Sequence, residues 1–250
     1  MKRIAILVSL IALALPASAG PLVNSSYLIP SAANTQGNFN AYFKTKVTFF
    51  NTNTVALSLV VALGTQNGRI TRILLIPAST FFTYENFLDE VFGYTGGGSI
   101  LVTGSSTFGL NAEVYVDGPN GRYSTPLQLV STSEDQVAGS AESGRSTAFG
   151  VHAEAGNRVN FGCTNLGVVP ATVRAVVHTF TPTGTATVNM DLGAQSWQQV
   201  ASPVAGDKMY VDFSVMAGGD GNPSHGVYCY AVNVNNASND GTLILAERLP

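Results

Sequence analysis

Three histidines, His152, His178 and His225, have the widest chemical reach of any side chains in this 250-residue chain at neutral pH. They lie far apart in sequence and in no metal-ligand spacing. His152-Ala153-Glu154 opens like a zinc deaminase motif but has no Pro-Cys-x-x-Cys partner, and HExxH is absent. His178 ends an apolar run and reads as a structural or surface residue. A serine nucleophile elbow needs Gly-x-Ser-x-Gly, and neither Ser106 nor Ser143 has both glycines. Gly96-Gly97-Gly98 lacks the Lys and Ser/Thr of a phosphate loop and reads as a hairpin turn.

Paired carboxylates could hydrolyse a glycoside. Glu85, Asp89 and Glu90 cluster on one short helical stretch, where acidic residues also simply complement the positive end of a helix; the second reading is preferred. The turn Gly218-Gly219-Asp220-Gly221-Asn222 offers two side-chain oxygen ligands where calcium takes about 6–8 oxygens. The aromatics Phe81, Phe82, Tyr84, Phe92, Tyr94 and Trp197 could stack on sugars, but Trp197 and Phe81 fall at matched strand positions and are expected in the core. No catalytic, cofactor-binding or metal residue is therefore assigned.

The elements that would position these groups are short strands. Hydrophobic residues make up 45% of the chain and charged residues only 11%, well below the ~25% usual for soluble domains. Glycine, proline, asparagine or aspartate punctuates the sequence every 8 to 12 residues, between runs such as Lys46-Val47-Thr48-Phe49-Phe50 and Thr172-Val173-Arg174-Ala175-Val176-Val177. That rhythm indicates an all-β sandwich or barrel. Only Tyr84 to Phe92 has helical spacing, with Phe87, Leu88, Val91 and Phe92 on one side.

Lys2 and Arg3, the apolar run Ile4 to Leu15, and Ala17-Ser18-Ala19 form a secretory signal peptide cut after Ala19. The mature protein is expected to be secreted or periplasmic. Without Lys2 and Arg3 the 12 basic residues fall to 10 against 15 acidic ones, a balance of −5. No Lys/Arg cluster exists, which excludes nucleic acid as a partner, and no later apolar stretch approaches the ~20 residues of a membrane span.

The chain also repeats itself. Phe43 to Ala62 lies over Asn157 to Val176 at an offset of 114, so that Asn51 meets Asn165. Ile76 to Phe81 lies over Leu192 to Trp197 at 116, and Val116-Asp117-Gly118 over Val234-Asn235-Asn236 at 118. The expected fold is two tandem immunoglobulin-like β-sandwich domains related by internal duplication, with one short helix in the first. The boundaries are 1–19 for the signal peptide, 20–131 and 147–250 for the sandwiches, and 132–146 for a polar linker.

The motif Phe43-Lys44-Thr45…Phe50-Asn51 with Ala56-Leu57-Ser58-Leu59 returns as Arg158…Asn165-Leu166-Gly167…Pro170-Ala171-Thr172-Val173. With the closing block Asn239-Asp240-Gly241-Thr242-Leu243-Ile244, it resembles an uncharacterised group of secreted bacterial proteins built from tandem β-sandwich repeats. The resemblance runs from about Tyr27 to the end and implies fold and secretion only. The chain departs from the group's pattern at Lys46 and Asn160, where Asp is common, at Pro77-Ala78-Ser79, and in its two cysteines.

Those cysteines, Cys163 and Cys229, are the candidate disulfide, since two thiols in one exported domain tend to oxidise. Cys163 shares parity with Val159 and Phe161 and should face the core. For Cys229 both parities stay open: Val227, Cys229 and Ala231 could line the core, or Tyr228, Tyr230 and Val232, and the repeat match to Leu110, Ala112 and Val114 favours the tyrosines. The first repeat places Phe49 and about Asn111 at the cysteine positions, and the Cα–Cα distance should fall within about 4.4–6.8 Å. The functional expectation is a secreted, non-catalytic protein acting through its surface as a structural or adhesion module, with protein or glycan at the cell exterior as partner. A carbohydrate-binding module is the alternative, and an enzyme with an unrecognised site the third reading. Intact-mass measurement of the exported protein should give a chain beginning at Gly20; a mass that retains Met1 would overturn the assignment.

Overall fold

The structure is a computed structural model, and it describes residues 23–118, 121–131, 145–153, 156–218 and 226–248. The expected signal peptide, most of the expected linker, the calcium-like turn beyond Gly218, and Glu154, Ser143 and His225 lie outside those residues.

The described chain is nearly all antiparallel β. In its first half β1 (Val23–Gln36), β2 (Tyr42–Asn51), β3 (Leu57–Thr65), β4 (Gly68–Ile76), β5 (Thr80–Tyr84), β6 (Gly96–Gly118), β7 (Gly121–Pro126) and β8 (Val130–Ser131) form one 8-stranded sheet. Residues 96–104 of β6 pair with β1 and β3, whereas 109–118 pair with β2 and β7. The long strand thus carries the sheet over onto itself, and Phe49, Leu59, Val61, Ile100, Phe108 and Leu110 meet inside. Period-2 burial explains the strands: β2 buries Thr45, Val47, Phe49 and Asn51 and turns the intervening residues outward. The helix α1 (Phe87–Phe92) sits where helical spacing placed it, burying Phe87, Leu88 and Phe92 and ending on Gly93 in the left-handed region. Glu85 precedes it rather than belonging to it.

In the second half β9 (Arg145–Ala153), β10 (Asn157–Asn165), β11 (Ala171–Phe180), β12 (Thr183–Leu192), β13 (Trp197–Ala201), β14 (Gly206–Gly218), β15 (Val227–Asn235), β16 (Gly241–Leu245) and β17 (Glu247–Arg248) form two sheets. β9 begins at Arg145, inside the stretch read as a linker. The sheet orders are β13-β10-β15-β16 and β12-β11-β14-β9-β17. In the first half the pairings read β5-β2-β6-β7 and β4-β3-β6-β1-β8, the same orders with β6 standing for both β14 and β15.

Asn51 and Asn165 do the same work in each half. The Asn51 carboxamide donates to the carbonyls of Val55, Ile76 and Pro77 and accepts from the Asn53 N–H. The Asn165 carboxamide donates to the carbonyls of Val169 and Gly193 and accepts from the Gly167 N–H. Nearby, Ser79 (φ 49°) and Gln195 (φ 51°) hold the same left-handed backbone and give their N–H groups to Asn53 and Gly167.

Cys163 and Cys229 are disulfide-bonded and directly opposite on β10 and β15. Their Cα atoms lie 4.1 Å apart, just below the expected window, on directly opposed positions of adjacent antiparallel strands. The position matched to Cys229 is Leu110, not Asn111: Phe49 is opposite Leu110 as Cys163 is opposite Cys229. This one-residue change of register settles the parity of β15. Val227, Cys229 and Ala231 enter the core of the second half, while Tyr230 joins the core of the first.

Gly96-Gly97-Gly98 is no hairpin turn but the start of β6. A Cβ on Gly97 would lie 2.7 Å from the Trp197 ring and one on Gly98 2.6 Å from the Gly64 carbonyl oxygen, so glycine serves close packing here. Replacing Asn51 or Asn165 with alanine strands buried carbonyls, and each variant should lose about 2 kcal/mol or more in urea unfolding. A loss within about 0.5 kcal/mol, as for an ordinary surface site, would show that the carboxamides do not hold these turns.

Candidate functional site

β11 buries Ala171, Val173, Ala175 and Val177 against the core, so strand geometry turns Arg174, Val176, His178 and Phe180 outward. On β14, which pairs with it, His178 is opposite Tyr210 and Val176 opposite Asp212. β9 lies on the far side of β14 and sets Phe149 opposite Tyr210 and Thr147 opposite Asp212. Three neighbouring strands therefore place four rings together on one outward face.

Tyr210 is the centre of that group. The His178 imidazole lies flat on it, with centroids 4.3 Å apart and planes 6° from parallel. Phe149 stacks at 6.1 Å and Phe180 tilts against it at 5.8 Å. Phe149 and Phe180 remain 53% and 59% exposed, unusual for large apolar side chains clustered on one face. A shallow groove of about 440 Å³ runs beside them, lined also by His152, Asp207 and Lys208.

Buried Asp212 anchors the imidazole. One carboxylate oxygen accepts from the Thr147 hydroxyl at 2.6 Å and faces the Arg145 guanidinium at 3.6 Å; the other lies 3.2 Å from His178 Nε2. The groove's other wall is held by Asn233, whose carboxamide contacts the Gly150 carbonyl and His152 Nδ1 and accepts the His152 N–H. Flat rings backed by a sheet can stack on the apolar faces of a ligand, while His178, Lys208 and Asp207 can hydrogen-bond its edge. Among the described residues no cluster of three metal-ligating side chains occurs.

Of the residues singled out in the sequence, His178 and His152 belong to this face; the carboxylates, the serine and the aromatics do not. Trp197 is buried and gives its indole N–H to the Tyr230 hydroxyl at 3.0 Å. Tyr230 in turn donates to Gln199 Oε1, also at 3.0 Å, and burial pushes its phenol pKa upward, keeping it a neutral donor. Phe81, expected in the core, is 72% exposed with Phe50 edge-on beside it. Both β13 and β5 are edge strands, and the two matched positions diverge because the first half covers Trp197 at Gly97, whereas Phe81 is left exposed. Tyr84 packs against Phe49 and Phe87. Glu85 is bound to Lys46 and Arg122 in an exposed charge network, and Glu90 accepts the Asn86 N–H. Ser106, on β6, accepts from the Asn53 carboxamide. Sequence reasoning missed the ring cluster, although the outward parity of Phe180 at the end of β11 marked it.

No protein-family model and no curated protein matches the chain. Among solved structures it is similar to a Streptomyces avermitilis alpha-L-rhamnosidase complexed with L-rhamnose, at 12% identity and a TM-score of 0.19. The match covers 91% of this chain and 28% of that one.

Rings displayed for contact should be dispensable for folding, unlike their anchor. Phe149→Ala and Phe180→Ala should each change stability by no more than about 0.5 kcal/mol, while Asp212→Ala, which leaves the Thr147 hydroxyl unpaired, should cost about 1–3 kcal/mol. Thermal unfolding of the three variants checks the contrast.

Proposed function

We propose that this is an exported, non-catalytic protein of two tandem immunoglobulin-like β-sandwiches, derived from one by duplication, which acts through its surface as an adhesion or interaction module of the cell exterior. The observation that carries this reading is the exposed cluster of Phe149, Tyr210, His178 and Phe180 on a rigid sheet face. Duplication is supported by the shared strand orders and by the paired roles of Asn51 and Asn165. Export is supported by the Cys163–Cys229 disulfide.

A glycan is the ligand class these rings favour, because sugar rings present flat C–H faces to aromatic platforms and hydroxyls to the polar groups around them. The His178–Asp212 pair fits this better than it fits catalysis. Asp212 already binds Thr147 and faces Arg145, and the imidazole is stacked on Tyr210.

Binding of the purified protein to isolated envelope polysaccharide, read by co-sedimentation, tests the proposal. The Phe149→Ala/Phe180→Ala double variant should bind at least tenfold more weakly. Equal retention of variant and wild type would remove the platform from the function.

A further inference from the structure

A second site lies where the halves meet. There the chain encloses a cleft of about 580 Å³, within the ~300–1,000 Å³ of small-molecule sites. Thr35 and Leu127 line it from the first half, and Arg158, Asn160, Trp197 and Gln199 from the second. It is distinct from the ring platform, with which it shares no lining residue.

Arg158 is the feature that ordinary packing leaves unexplained. Its guanidinium is half-buried and gives one N–H to the Asn236 carboxamide at 2.7 Å and another to that of Asn239 at 3.0 Å. Both acceptors are neutral, and among the described residues no carboxylate pairs with it. The matched position in the first half is Lys44, opposite Tyr115 as Arg158 is opposite Val234. Lys44 lies 3.7 Å from Asp117. One cation of the matched pair is thus neutralised in the open, and the other is left uncompensated in a cleft where its desolvation costs more.

A guanidinium has five N–H donors, and its fork fits a planar carboxylate through two parallel hydrogen bonds. Beyond Arg158 the cleft offers carboxamides and hydroxyls, Asn160, Gln199 and Thr35 among them, while the Trp197 indole N–H is spent on Tyr230. Gln199 spends its oxygen on Tyr230, which leaves its NH₂ group to donate. Asn160 sits two residues from Arg158 on the same strand face. A phosphate would call for more than one cation, and an apolar acid would leave the carboxamides unpaired. We propose that this cleft binds a small acidic carbohydrate of the uronic acid type, with its carboxylate on Arg158 and its hydroxyls on Asn160 and Gln199.

The chain has a single tryptophan, Trp197, and it lines the cleft, so intrinsic fluorescence reports occupancy directly. Titration with galacturonate, glucuronate and trigalacturonate should give a saturable change that galactose and benzoate do not give. Arg158→Gln should weaken it at least tenfold, Arg158→Lys should recover part of the loss, and Lys44→Gln should leave it unchanged. Asn160→Asp, which plants a competing carboxylate beside Arg158, should weaken binding as much and keeps the test valid if Arg158→Gln does not fold. Absence of a saturable response to any uronate at millimolar concentration overturns the proposal. So does an equal response to galactose or benzoate, or an affinity indifferent to both variants. Phe149→Ala/Phe180→Ala should leave the signal intact, so failure of either site is read separately from failure of the other.

Discussion

One constraint governs the molecule: the middle of the sheet β13-β10-β15-β16 is covered on both faces. A strand covered on both sides must be apolar at successive positions rather than alternate ones, and β15 is buried at Val227, Tyr228, Cys229, Tyr230 and Ala231 without a break. Size is partitioned between the two sides. The side toward the second core takes small groups, Val227, Cys229 and Ala231, whereas the side toward the first half takes Tyr228 and Tyr230. The tyrosines then impose conditions on their neighbours. A Cβ on Gly162 would lie 2.2 Å from the Tyr230 ring, so the strand beside it carries glycine. The buried Tyr230 hydroxyl needs partners and finds Trp197 and Gln199.

Matched sheet positions show how docking rewrites a face. In the first half the opposed pair Gly64 and Ser99 lies where the second half approaches, and an added Cβ on Gly64 would stand 3.5 Å from the Gln195 carbonyl oxygen. The pair at the same register in the second half is His178 and Tyr210, with nothing described above it. The outer face of β2 and β6, matched to the covered face of β10 and β15, carries instead Lys44, Lys46, Glu113 and Asp117 in ion pairs. Stacked units need polar outer faces at their ends, which accounts for the ion pairs. It does not account for Phe149 and Phe180, and that excess of exposed ring surface singles out their face.

What the sequence disclosed follows the same division. Where one face is buried and the other wet, alternation is legible, and β2, β11 and the inward Cys163 were readable from it. α1 was readable because Phe87, Leu88 and Phe92 fall on one helical side. The parity of Cys229 was not, because a two-sided strand erases alternation, and the offset of 118 hid the one-residue register change at Leu110. Gly96 to Gly98 looked like a turn because glycine's role in close approach depends on Trp197 and Gly64, which are remote in sequence. The fates of Trp197 and Phe81 parted for a similar reason. Covering by another unit is a tertiary event that a pattern within either strand does not encode.

The disulfide belongs to the same economy. Phe49 and Leu110, side by side in the first core, fill space that a cystine fills in the second. In the first half, moreover, a single continuous strand, β6, ties both layers together, while in the second half that role falls to separate strands, β14 and β15. The cross-link joins β10 to β15 across 66 residues of chain, and closing a loop of that length in the unfolded state is worth about 4 kcal/mol in the entropy model. It also fixes the two strands that form the floor of the cleft between the halves, with Arg158 and Asn160 on one and Val232 and Val234 on the other. Groups held on a covalently joined strand pair lose little further freedom when a ligand arrives. A staple set at the middle of the twice-buried sheet therefore stabilises the second core on one face and preorganises the cleft on the other.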